Sequence, residues 1–130
     1  MRGKIVSWKS MVIFDTNAIL RYILQDNQDM AEAVEQQLSK HICHIPVEVI
    51  AEVIYVLSKV YNVERKILAQ IVSDITDTNK IRVTQKTVVL HALKIFASSS
   101  LDFVDCLLIG YAKKYGHAIF TFDKKLQKYL

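Results

Sequence analysis

The chain has 130 residues, 52% of them hydrophobic, and a formal net charge of +4. That length suits one domain with a real core and leaves no room for two. No apolar run reaches the roughly 20 residues a membrane helix needs, and Asp15, Asn17 and Arg21 break the apolar stretch after Arg2, Lys4 and Lys9, which argues against a signal peptide.

The first ten residues match no element and read as an N-terminal extension, with the domain spanning 11–130. Met11 to Phe14 then reads as a buried strand, followed directly by a helix over Ala18 to Leu24. Met30, Val34 and Leu38 recur at helical spacing among polar residues and mark an amphipathic helix. Ile42 to Ile45 is a short strand stopped by Pro46, which suits the start of a helix running to about Val60. Ile67, Leu68, Ile71, Val72 and Ile75 mark another helix, and Ile81 to Val83 a weak strand. Val89, Leu93, Phe96 and Ala97 share one face of a further helix, interrupted at Ser98 to Ser100. Asp102 can cap the next helix, which carries Val104, Leu107, Leu108, Tyr111 and Tyr115 and closes at Gly116. Ala118 to Thr121 reads as the last strand, and a basic helix ends the chain. Short apolar strands alternating with helices predict an α/β domain: three layers, α/β/α, around a short and mostly parallel sheet.

Mean hydropathy is +0.19, apolar for a small domain, so part of the surface is expected to be covered by a partner, most simply a second copy. The two cysteines, Cys43 and Cys106, form no CxxC pair, which fits a reduced, cytoplasmic setting.

Four acids stand against apolar stretches: Asp15 in MVIFDTNAIL, Glu52 in VIAEVIYVL, Asp105 in LDFVDCLLIG and Asp123 in IFTFDKKL. Each has an ordinary alternative. Asp15 and Asp123 stand where an aspartate caps a following helix, and Lys124 and Lys125 could neutralise Asp123. Glu48, Glu52, Tyr55 and Lys59 form a plausible solvent stripe. Asp105 is the hardest to explain this way, since Phe103, Val104, Leu107, Leu108 and Ile109 surround it. An isolated carboxylate is costly to bury. Taken together, carboxylates from several elements suit a hard divalent cation such as Mg²⁺ or Mn²⁺, which can activate water and stabilise phosphoryl transfer.

FDTNAIL, AEVIYVL, DFVDCLLIGYAKKYG and IFTFDKKL, in this order, resemble the PIN-domain ribonucleases, and within them the VapC-type toxins of toxin–antitoxin pairs. The resemblance runs from about Met11 to the C-terminus. It implies a metal-dependent endoribonuclease, a hydrolase, with Asp15, Glu52, Asp105 and Asp123 as catalytic metal-site acids. It also implies supporting roles for Asn17, Thr121 and Asp102, cleavage leaving 5′-phosphate and 3′-hydroxyl ends, a homodimer, and inhibition by a cognate antitoxin. Lys113, Lys114, Lys124, Lys125 and Lys128 cluster near the C-terminus and form either a solvated surface or an RNA-backbone contact zone.

Other functions compete. A haloacid-dehalogenase-type phosphatase also begins with an aspartate after its first strand, but wants a second acid where Asn17 stands. Phospho-receiver domains need paired acids there. A third alternative is a catalytically inactive module that binds RNA or protein. His41, Cys43 and His44 lack a second ligand pair at zinc spacing and read as structural. Tyr22, Tyr55, Tyr61 and Tyr111 read as core edge or interface, and Trp8 has no assigned role.

Overall fold

A computed structural model describes residues 10–130; the expected extension at 1–10, with Trp8, lies outside the described residues except for Ser10. In chain order the elements are β1 (Met11–Ile13), α1 (Thr16–Leu24), α2 (Gln28–Lys40), β2 (Ile42–Ile45), α3 (Val47–Lys59), α4 (Arg65–Thr76), β3 (Ile81–Val83), α5 (Lys86–Ser98), α6 (Phe103–Tyr115) and α7 (Lys124–Gln127). They group into two compact packing units. The described residues through Val53, with Asp77–Thr84, form the first; Ile54–Thr76 and Gln85–Leu130 form the second.

The first unit holds a three-stranded parallel sheet in the order β1-β2-β3. Cys43 in β2 sits opposite both Val12 of β1 and Ile81 of β3, so the central strand is hydrogen-bonded on both edges. Short β-branched runs become strands where their buried members have somewhere to go; β1 departs from the buried strand expected there, since it ends at Ile13, and Met11 and Ile13 are exposed. Cys43 and Ile45 of β2 and Ile81 of β3 are buried, as are Ala31 and Val34 on α2, and α2 packs on β2 and on α1. Complete burial of each Ile, Val or Leu contributes about 1.5–3 kcal/mol.

The second unit is helical. α5 packs between α4 and α6 around Leu68, Val72, Val88, Val89, Leu93, Phe96 and Leu107, all buried. The α5–α6 approach is close because Gly110 faces Val88: a Cβ there would stand 2.9 Å from the Val88 carbonyl oxygen. Phe96 and Phe103 meet edge to face at 5.8 Å, which ties the end of α5 to the start of α6. Gly116 ends α6 in the left-handed region at φ 71°, its N–H donating to the Ala112 carbonyl at 2.8 Å. A residue with a side chain is strained in that conformation.

One expected element is absent. Ala118 to Thr121 forms no strand, and the residues from Gly116 to Asp123 carry no regular structure. Thr121 is occupied locally instead. Its hydroxyl accepts the Asp123 N–H at 3.0 Å, and its carbonyl accepts the Gln127 side chain at 2.9 Å. Phe120 and Phe122 are 86% and 88% exposed and meet edge to face. No helix among the described residues is long and apolar enough to cross a membrane.

Candidate functional site

Asp15 follows β1 and opens α1. Its extended backbone places Oδ1 2.9 Å from the Ala18 N–H, so it caps the helix as a local reading requires. That bond uses one carboxylate oxygen; the other is available to a ligand. The cap also explains why α1 begins at Thr16 rather than Ala18: once Asp15 holds Ala18, Thr16 and Asn17 fall into the first turn. Asn17 is exposed there. A cavity of about 320 Å³ beside β1 is lined by Val12, Phe14, Asp15, Ala18, Val34 and Gln37 among others, and Asp15 is the ionisable group on its wall.

Glu52 lies on α3 and is exposed, as are Glu48, Tyr55 and Lys59. The stripe expected of a solvated helix face is therefore present, and among the described residues the Glu52 carboxylate has no hydrogen-bond or ion-pair partner. The buried face of α3 carries Ile50, Val53, Ile54 and Leu57.

The second unit brings three acids into electrostatic contact. Asp105 is half-buried in the first turn of α6. Burial pushes its carboxyl above the ordinary aspartate range, the negative charges of Asp123 and Asp102 push it further, and Lys125 opposes them. Asp123 caps α7, its Oδ1 accepting from Lys125 N–H at 2.8 Å and Leu126 N–H at 3.2 Å. Leu126 is buried and anchors that short helix. The Thr121 hydroxyl accepts the Asp123 N–H and so fixes the backbone there. Asp102 occupies the N-cap position of α6 but makes no capping bond with its side chain. The sequence reading gave it that capping task, and its carboxylate does not perform it.

The lysines divide. Lys125 Nζ donates to the Ser100 carbonyl at 2.9 Å, so this residue ties α7 to the connection before α6 while partly balancing Asp105. Lys114 stands 5.2 Å from the Tyr115 ring centroid, and Tyr115 stacks on Tyr111. Lys113 helps hold the His91 imidazole below its usual range, after burial and alongside Lys94. Lys113, Lys114, Lys124 and Lys128 are exposed.

The remaining polar candidates are accounted for without a ligand. His41 Nδ1 pairs with the Ser10 hydroxyl at 2.7 Å, and His44 Nε2 with the Thr84 hydroxyl at 2.7 Å. Burial pushes the Cys43 thiol up to about 12 and, as its largest cause, Cys106 to about 11. Neither cysteine is a thiolate nucleophile near neutral pH.

Arg65 carried no signal in the sequence. It opens α4, its guanidinium lies 3.7 Å over the Phe96 ring, Nε donates to the Phe96 carbonyl at 2.8 Å, and the same group donates to the Leu101 carbonyl. Its partners are backbone carbonyls, which every residue possesses, so no pattern of side chains announces it.

The donor chemistry fits a hard divalent cation: carboxylate oxygens, one of them on a group whose neighbours repel its charge. Within neither unit, among the described residues, do three His, Cys, Asp or Glu side chains come together closely enough to hold an ion.

Comparison with known proteins adds a family. The PIN domain family profile matches residues 12–129. A curated relative, the VapC ribonuclease of Aquifex aeolicus (strain VF5), is 29% identical over 124 residues, covering 91% of each chain. No solved structure matches.

Proposed function

Because the chain belongs to the PIN-domain family, we propose that it is a divalent-metal-dependent endoribonuclease, the toxin of a toxin–antitoxin pair. The observation that carries this reading is the crowding at Asp105. Asp105 stands in the first turn of α6, where a negative charge ordinarily helps the helix, yet burial first and then the charges of Asp123 and Asp102 raise its carboxyl, and a dication would relieve that repulsion.

In this reading Asp15, Asp105 and Asp123 hold Mg²⁺ or Mn²⁺, Glu52 binds it directly or through water, and Asp102 supports them. When bound, such an ion lowers the pKa of water and neutralises charge on the phosphate and the leaving oxygen. The chain's own contribution is orientation. The Ala18 N–H grips one oxygen of Asp15, and the Lys125 and Leu126 N–H groups grip one oxygen of Asp123. Each carboxylate would therefore meet a cation with one oxygen held by backbone N–H groups and the other to spare. Asn17 and Thr121 steady the acids beside them. Lys113, Lys114 and Lys124 supply phosphate contacts for an otherwise acidic site, with Lys125 contributing charge while bound to Ser100. In this reading the protein acts in the cytoplasm as a homodimer, and a small antitoxin protein covers the site acids.

The test is cleavage of a mixed RNA substrate with Mg²⁺ or Mn²⁺ and with EDTA. Cleavage should require the ion and disappear in Asp15→Asn, while RNA binding persists. Cleavage in EDTA, or an active Asp15→Asn, would reject the metal-site reading.

A further inference from the structure

The connection between α5 and α6 is held with more polar anchors than a short surface turn requires. Arg65 contacts it at both ends: Nε on the Phe96 carbonyl in the last turn of α5, a terminal nitrogen on the Leu101 carbonyl two residues before Phe103. Its guanidinium plane also rests on Phe96. Ser99 Oγ accepts from the Leu101 N–H at 3.3 Å, and Lys125 takes the Ser100 carbonyl. Leu101 and Phe103 are buried on either side of Asp102.

This arrangement replaces something. An aspartate at an N-cap ordinarily fixes how the chain enters the helix by bonding the first free N–H groups. Asp15 and Asp123 do so; Asp102 does not. At α6 the entry is fixed from outside, through the backbone, by a guanidinium whose planar fork can serve two carbonyls at once. The Asp102 carboxylate is thereby left uncommitted, one turn from Asp105 and close enough to raise its pKa.

We propose that Arg65 is a positioning residue for the acidic site: by gripping the Phe96 and Leu101 carbonyls it sets the first turn of α6 and releases Asp102 from capping, so that Asp102 and Asp105 together face the cation. The inference rests on the metal-site reading above and extends it to a residue that touches neither ion nor RNA. Residues that orient metal ligands from behind typically change metal affinity or activity by 10- to 100-fold when replaced.

Arg65→Lys keeps the charge but not the fork. Mn²⁺ affinity is measured by electron paramagnetic resonance of the free ion, alongside the melting temperature in EDTA, single-stranded RNA binding in EDTA, and RNA cleavage. The expected result for Arg65→Lys is a cooperative melt and unchanged RNA binding, with Mn²⁺ binding and kcat each about 10-fold weaker. Asp102→Asn should weaken Mn²⁺ binding in the wild-type background and add little in Arg65→Lys, because both act through the same turn. Equal Mn²⁺ affinity and kcat in wild type and a folded Arg65→Lys would overturn the proposal while leaving the metal site standing. Wild-type protein that binds no Mn²⁺ would overturn both. If Arg65→Lys fails to fold, Asp102→Ala decides: it should leave the melting temperature in EDTA no lower and still weaken Mn²⁺ binding. A lowered melting temperature with unchanged Mn²⁺ affinity would show an ordinary cap and overturn the proposal.

Discussion

Gly110→Ala tests the packing that carries the Asp105 helix. A Cβ at this position would lie 2.9 Å from the Val88 carbonyl oxygen and 3.1 Å from Val88 Cγ1. The nearer atom is backbone inside α5, so relief requires two helices to separate rather than a side chain to turn. Overpacking of this kind costs about 1–3 kcal/mol, and a clash with backbone rather than with a flexible side chain places this one at about 2–3 kcal/mol. Alanine's better helix propensity returns about 1 kcal/mol, for a net loss of about 1–2 kcal/mol. Unfolding entropy of about 2.1 cal/mol/K per residue, over a chain of this size, converts that to a melting temperature lower by about 4–7 °C. Differential scanning calorimetry in EDTA measures it. An unchanged or higher melting temperature would refute the close α5–α6 contact.

Asp105 should behave as a destabilising charge in metal-free protein. Its carboxyl titrates above the ordinary aspartate range in the folded state, so the folded form holds the proton more tightly than the unfolded chain. The stability it favours is present at low pH and lost as pH rises through the folded-state pKa. Asp105→Asn in EDTA should therefore raise the melting temperature at pH 7 and lose that gain as pH falls into the ordinary aspartate range; no pH dependence of the difference would count against the crowding. Millimolar Mn²⁺ should reverse the order by stabilising wild type more than Asp105→Asn, and equal gains in the two would indicate nonspecific ion effects. The lysines should separate by assay. Lys124→Ala should weaken binding across RNA sequences and reduce the salt slope by about one unit with the melting temperature unchanged, whereas Lys125→Met should lower the melting temperature by removing the bond to Ser100. Identical behaviour of the two variants would contradict that division.

The alternation of short apolar strands with helices was legible because it is local. Ile42 to Ile45 and Ile81 to Val83 form strands over the residues expected, since β-branched runs ending at turn or cap residues have few other outcomes. Ala118 to Thr121 carries the same pattern and forms none. Strand identity depends on a hydrogen-bonded neighbour, which the residues themselves do not name, and here the Thr121 groups are taken by Asp123 and Gln127. The site divided along the same line. Asp105 stood out because an acid among apolar neighbours is conspicuous, and the structure gives it a raised carboxyl. Asp102 was read as a cap from its position, but a position does not reveal whether the side chain bonds. Arg65 and the bond from Lys125 to Ser100 act on carbonyls distant in sequence, and only the fold discloses them.

We propose that Asp15 and Asp105 both serve the cation. Mn²⁺ binding to wild type, Asp15→Asn, Asp105→Asn and the double variant, measured by electron paramagnetic resonance with RNA cleavage in parallel, tests it most directly. Each single variant should lose most of the Mn²⁺ affinity and all detectable cleavage, and the double variant should lose little more than either, because residues of one site are not independent. Losses that add independently, or a single variant that binds Mn²⁺ and cleaves RNA as wild type does, would contradict a shared metal site.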